Sequence, residues 1–149
     1  MADPFPEGEP VRANRRGTLD SLHALLGGLP VGYFLLAFIF DVTYVRSAYF
    51  MWPIFSVWLI TAGLVAGGLA VLVGTVDWFV QGRRTRPRGT IWHAVLTIVA
   101  LLLGLLNAFI HSRDGWTAVV PEGIILSGVT TLLLIVAAFL GAAASRRSA

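Results

Sequence analysis

Residues 76–95 read VDWFVQGRRTRPRGTIWHAV. An apolar run ends at Asp77 and Trp78. A short loop, residues 81–90, then carries Arg83, Arg84, Arg86 and Arg88, and a second apolar run opens at Ile91 with His93 just inside it. This is the pattern of two membrane-crossing helices joined by a charged loop that stays on one side of the bilayer. Asp77 and His93 sit at the ends of apolar runs, where an ionisable group is costly unless it has a partner or reaches water. That makes both candidate functional residues.

The flanking sequence extends the pattern. Residues 22–45, 53–80, 91–112 and 123–144 are each apolar over at least the roughly 20 residues needed to cross a bilayer. The chain of 149 residues is 56% hydrophobic and only 13% charged, with a mean hydropathy of +0.78, which does not suit a soluble globule of this size. Short connections between the four segments predict an all-α, antiparallel four-helix transmembrane bundle. Residues 1–21 form a polar N-terminal tail, residues 22–144 the membrane domain and residues 145–149 a C-terminal tail. The first 14 residues include Pro4, Pro6 and Pro10 and little apolar content, so they are expected to be disordered unless docked on a partner. The first apolar run is too long for a cleaved signal and lacks a convincing cleavage site.

All 11 basic residues are arginine. Arg12, Arg15 and Arg16 lie in the first tail, Arg83, Arg84, Arg86 and Arg88 in the middle loop, and Arg146 and Arg147 in the last tail. Only Arg46 and Arg113 occupy the other two loops. The positive-inside rule therefore predicts that both termini are cytoplasmic. The isoelectric point near 10.2 raises the question of nucleic acid. These arginines form no basic helical face with interleaved aromatics, so the partner they predict is the lipid bilayer and no nucleic acid. The chain has no cysteine, which removes disulfides, thiolate metal sites and covalent haem attachment through CxxCH.

Depth within the bilayer follows from helix rise. His23 and Asp41 are 18 residues apart, about 27 Å along a helix and five whole turns, so they share a face near opposite membrane surfaces. His93 and His111 repeat this spacing, with Asn107 one turn before His111 on the same face. Two polar layers result. His23, Asp77 and His93 form the cytoplasmic one, and Asp41, Asn107 and His111 the outer one. Segment 4 offers only Ser127, Thr130 and Thr131 within its span and reads as a packing or lipid-facing helix. Gly63, Gly67 and Gly74 fall on one side of segment 2, and Gly28 and Gly32 form a small-xxx-small pair on segment 1. Such residues let helix backbones approach closely in lipid. Gly68, Gly128 and Gly141 look surplus to the bundle's own packing.

The combination of His23, Pro30, Asp41, Gly63, Gly74, Asp77, His93 and Asn107 resembles the four-helix bacterial membrane proteins known as domain of unknown function 2231. That family tends to open with a motif of the form HPxxxHFP. An Asp ends its first helix, Gly and Asp end its second, a His opens its third, and an Asn follows late in the third. The resemblance covers residues 22–111. Two positions depart from it: Ala24 stands at the family's first Pro and Gly28 at its second His, so a site needing two histidines on the first helix is absent. The resemblance implies a helical fold in the bacterial inner membrane and, through relatives joined to electron-transfer modules, a redox association. It brings no activity.

Four chemistries fit the polar layers. His23 and His93, at matching depth on facing helices, are candidate axial ligands of a b-type haem. With Asp77 they also have the donor types of a zinc, iron or manganese site, although without diagnostic spacing. A carboxylate beside an imidazole can relay protons. The fourth reading is structural, with polar pairs fixing helix register at about 0.6 kcal/mol per interhelical hydrogen bond. No nucleophile elbow and no phosphate-cradling glycine loop occurs. The favoured function is non-catalytic: an accessory or assembly subunit of a larger membrane complex, electron-transfer complexes included, with no metal and no catalytic residue. The alternative is a small haem b protein using His23 and His93.

Overall fold

The computed structural model describes the backbone of residues 9–81 and 88–146, and the side chains of residues 21–22, 25–79 and 89–146. Four α-helices follow one another: α1 (Glu9–Ser47), α2 (Met51–Gln81), α3 (Arg88–His111) and α4 (Glu122–Arg146). Each contains a stretch long and apolar enough to cross a membrane. α1 packs on α2, α2 on α3, α3 on α4 and α4 on α1, closing a ring. The ends of α1 and α3 lie with the starts of α2 and α4, so neighbours run antiparallel.

α1 begins earlier than the sequence reading places it. Residues 9–14, expected to be disordered, are its first turns. Pro10 falls in the opening turn, where a missing N–H removes no helical bond, and the arginines and alanine behind it (Arg12, Ala13, Arg15, Arg16) favour helix. Ala48 ends α1 in the left-handed region at φ 53°, its N–H donating to the Tyr44 carbonyl at 2.7 Å. Pro53 then sits in the first turn of α2. The longer connection between α3 and α4 contains a 3-10 turn, Gly115–Ala118, and an exposed Arg113–Glu122 ion pair at 3.7 Å.

The polarity of the bundle is inside out. Leu35, Leu36, Val65, Leu72, Leu102, Phe109, Ile125, Leu132 and Phe139 are exposed, whereas Asp41, Ser56, Asn107, Ser127 and Thr130 are fully buried. Water would reverse this sorting, and lipid favours it. The apolar core centres on Phe34, Ala37, Ile60, Ala100 and Leu134. Phe34 is held between two glycines. A Cβ on Gly63 of α2 would stand 2.8 Å from its ring, and one on Gly104 of α3 only 2.6 Å. These glycines therefore set how closely α1, α2 and α3 approach.

Other small residues divide differently from the sequence expectation. A Cβ on Gly67 would lie 2.5 Å from Leu101 Cδ2, so this glycine faces α3. A Cβ on Gly28 or Gly32 would meet nothing within 4 Å. Both are exposed, and no described residue lies close enough to pack against them. Gly128 and Gly141 are not surplus, because one accommodates Phe38 and the other His93. Gly68 does face open space. Gly74 is half-buried on α2.

Candidate functional site

The ring arrangement sends one polar side chain from each helix to the same point. Asp41 lies less than two turns from the end of α1, and His111 is the last residue of α3. Ser56 lies less than two turns into α2, and Ser127 less than two turns into α4. Because the helices alternate in direction, these four positions share one depth.

Asp41 is the hub, with no solvent exposure. Its Oδ1 accepts from Ser56 Oγ at 2.6 Å and lies 3.0 Å from His111 Nε2. Its Oδ2 accepts from Ser127 Oγ at 2.5 Å. Asn107 Nδ2 donates to Ser127 Oγ at 2.8 Å. His111 Nδ1 lies 3.1 Å from both the Asn107 carbonyl and Asn107 Oδ1. The network is a closed loop from Asp41 through His111, Asn107 and Ser127 back to Asp41. Ser56 adds α2 to it and reaches the Ala37 carbonyl at 3.2 Å. One turn deeper on α4, Thr131 Oγ1 lies 2.7 Å from the Ser127 carbonyl and 3.0 Å from that of Phe34, tying α4 to α1 again. Thr130 Oγ1, also fully buried, has no hydrogen-bond partner among the described residues.

A small apolar cluster covers the network toward the near membrane surface. Tyr44, Ala118 and Val119 are buried and pack with Trp52, Val120 and Ile124. The rings of Tyr44 and Trp116 meet at a 44° tilt with centroids 5.6 Å apart. The connection closes tightly over the histidine: a Cβ on Gly123 would stand 3.1 Å from His111 Cε1 and 2.6 Å from the Ala118 carbonyl oxygen. No room remains there for a larger residue.

Of the outer-layer residues, His111 thus contacts both Asp41 and Asn107, and Ser127 bridges the latter two. The sequence reading missed Ser127, because segment 4 was read as packing or lipid-facing. In fact α4 buries Ser127, Thr130 and Thr131, and supplies the partner of Asp41 Oδ2. Ser56 was assigned to neither polar layer. Both could have been found from depth alone, since each lies five residues into its helix, level with Asp41.

At the other end, His93 Nδ1 lies 2.8 Å from the Ala137 carbonyl oxygen, which can only accept, so Nδ1 donates. Gly141, one turn further along α4, makes room for the ring: a Cβ there would lie 2.9 Å from Nδ1. Asp77 is half-buried late in α2. The side chain of His23 and residues 82–87 of the arginine loop lie outside the described residues.

An inside-out ring of four long apolar helices, with a polar network sealed in its interior, defines a polytopic α-helical membrane protein. The family described as "Predicted membrane protein (DUF2231)" matches residues 19–149, and the chain belongs to it. No curated protein and no solved structure matches the chain.

Proposed function

We propose that this is a non-catalytic protein of the bacterial inner membrane, with both termini cytoplasmic, that serves as an accessory or assembly subunit of a larger membrane complex, electron-transfer complexes included. The observation that carries this reading is the closure of the outer polar layer on itself. Both carboxylate oxygens of Asp41 and both ring nitrogens of His111 face partners inside the bundle, and Ser56, Asn107 and Ser127 are fully buried with them. Such a network binds helices to one another and presents neither nucleophile nor base to a substrate.

The orientation is supported by charge. Arg46 and Arg113 lie at the Asp41 end, and the other nine arginines belong to the two chain ends and the α2–α3 loop. The uncovered face carrying Gly28 and Gly32, and the open position at Gly68, suit close approach by other membrane helices. Native mass spectrometry after mild detergent extraction, combined with cross-linking in cells, tests the subunit role. A co-purifying assembly is expected. A lone 16.1 kDa species under every gentle condition, with nothing cross-linked, refutes the role.

One observation favours the haem alternative. The Nδ1 bond from His93 to a backbone carbonyl is the support commonly seen behind a metal-ligating imidazole, whose ligating nitrogen is then Nε2. In that reading, His23 and His93 supply the axial ligands. Protein expressed with ample haem then shows a Soret band that His93→Ala removes or shifts, and colourless protein eliminates this reading.

A further inference from the structure

We infer that Asp41 and His111 together form a proton-binding site, holding one proton more than an ionised carboxylate beside a neutral imidazole would carry. The inference rests on what each atom faces and is independent of the subunit role.

Asp41 Oδ2 receives the single hydroxyl hydrogen of Ser127, at 2.5 Å. Ser127 Oγ therefore needs a donor, and Asn107 Nδ2 supplies it at 2.8 Å. That fixes the amide orientation and turns Asn107 Oδ1 toward His111. Its Nδ1 then faces two oxygens at 3.1 Å, the Asn107 amide oxygen and the Asn107 backbone carbonyl, and neither can donate. Nδ1 must carry hydrogen. The other ring nitrogen, Nε2, faces Asp41 Oδ1 at 3.0 Å and Ser56 Oγ at 3.4 Å, and the one hydrogen of Ser56 has nearer acceptors in Asp41 Oδ1 at 2.6 Å and the Ala37 carbonyl at 3.2 Å. A hydrogen must also lie between Nε2 and Oδ1.

Two protons therefore serve this couple, one at Nδ1 and one shared between His111 and Asp41. Whether the second sits on nitrogen or oxygen, the count is the same. Reversing the Asn107 amide does not change it. Nδ1 could then accept from Nδ2, but Ser127 would have to donate to Asn107 Oδ1, and Asp41 Oδ2 would need its own hydrogen to reach Ser127. Any arrangement with one proton fewer sets a bare nitrogen or a bare carboxylate oxygen against another oxygen in a site with no solvent exposure.

Charge points the same way. With the extra proton the couple is neutral overall, and without it one net negative charge is sealed in the bundle. No other described titratable group compensates. The residues facing the couple are Ser56 from α2, Asn107 from α3, and Ser127 and Gly123 from α4, none of which titrates. Tyr44 is one turn away on α1, and Arg46, Arg113, Asp114 and Glu122 at this end are exposed.

The test counts protons in the intact protein. Protein labelled with ¹⁵N-histidine and ¹³Cγ-aspartate is reconstituted in bilayers at neutral pH and read by solid-state NMR. His111 is assigned by subtraction using His23→Gln and His93→Gln proteins. Asp41 is assigned using Asp3→Asn, Asp20→Asn, Asp77→Asn and Asp114→Asn proteins, so the buried cluster is intact in every sample. The expected result is two protons on the couple: both ring nitrogens protonated beside an ionised carboxyl, or one nitrogen protonated beside a protonated carboxyl. A single proton, with one bare nitrogen beside an ionised Asp41, overturns the inference.

Discussion

Replacing Asp41 with Ala tests the network where it is most connected. Asp41 lies on α1, and the three side chains that reach it come from α2, α3 and α4. Interhelical hydrogen bonds in membranes average about 0.6 kcal/mol and reach about 1.7, so three of them contribute roughly 2–5 kcal/mol. A second route gives a similar figure, since removing one partner of a buried ion pair costs about 3–5 kcal/mol by stranding the other. The cavity left by the lost carboxylate is flanked by the Ser127 hydroxyl, which then lacks its acceptor, whereas Ser56 can turn to the Ala37 carbonyl at 3.2 Å. Reversible unfolding in mixed micelles, titrated with a denaturing detergent, measures it. Asp41→Ala should unfold at clearly lower denaturant than the wild type, while Asp114→Ala, on the exposed connection, leaves the midpoint unchanged. Ser127→Ala, which removes one bond to Asp41 and one from Asn107, should fall between them. Equal midpoints for Asp41→Ala and Asp114→Ala would mean that the network does not hold the helices together, and the argument would fail.

Other substitutions probe the packing. Gly104→Ala drives a methyl into the Phe34 ring from 2.6 Å and should destabilise by about 1–3 kcal/mol, with recovery in the Gly104→Ala, Phe34→Leu double variant; no recovery would place the conflict elsewhere. Gly28→Leu and Gly32→Leu should leave the isolated bundle's stability unchanged while disrupting any co-purifying assembly, and a destabilised bundle would show that the chain itself covers that face. Gly141→Ala should displace the His93 ring and break its bond to Ala137, read as a changed ¹⁵N shift at Nδ1 of His93.

The fold was legible because its determinants are local in sequence. Apolar length marks the helices, and the short connections give the antiparallel order. Helix rise brings Asp41 and His111 to one depth and puts Asn107 on the face of His111, and those residues do meet. What the sequence conceals is azimuth between helices. Ser127 looks unremarkable in an apolar helix until the ring closure turns it toward Asp41, and Gly104 acquires its role only when Phe34 of another helix lies against it. Gly28 and Gly128 illustrate the same limit in opposite directions: identical residues in apolar helices, one facing open space and one facing Phe38. The start of α1 was misplaced for another reason. Proline was read as a signal for disorder, whereas Pro10 occupies the first helical turn, where proline is readily accepted.

The central claim is that a carboxylate on α1 and an imidazole on α3 meet across the bundle inside a sealed network. The most direct test is the heteronuclear dipolar coupling between His111 Nε2 and Asp41 Cγ in bilayers, measured on the labelled protein. A strong coupling, as the 3.0 Å Nε2–Oδ1 contact requires, is the predicted result. A His111 ring with no measurable coupling to any aspartate carboxyl, in protein that retains its helices, would contradict the account.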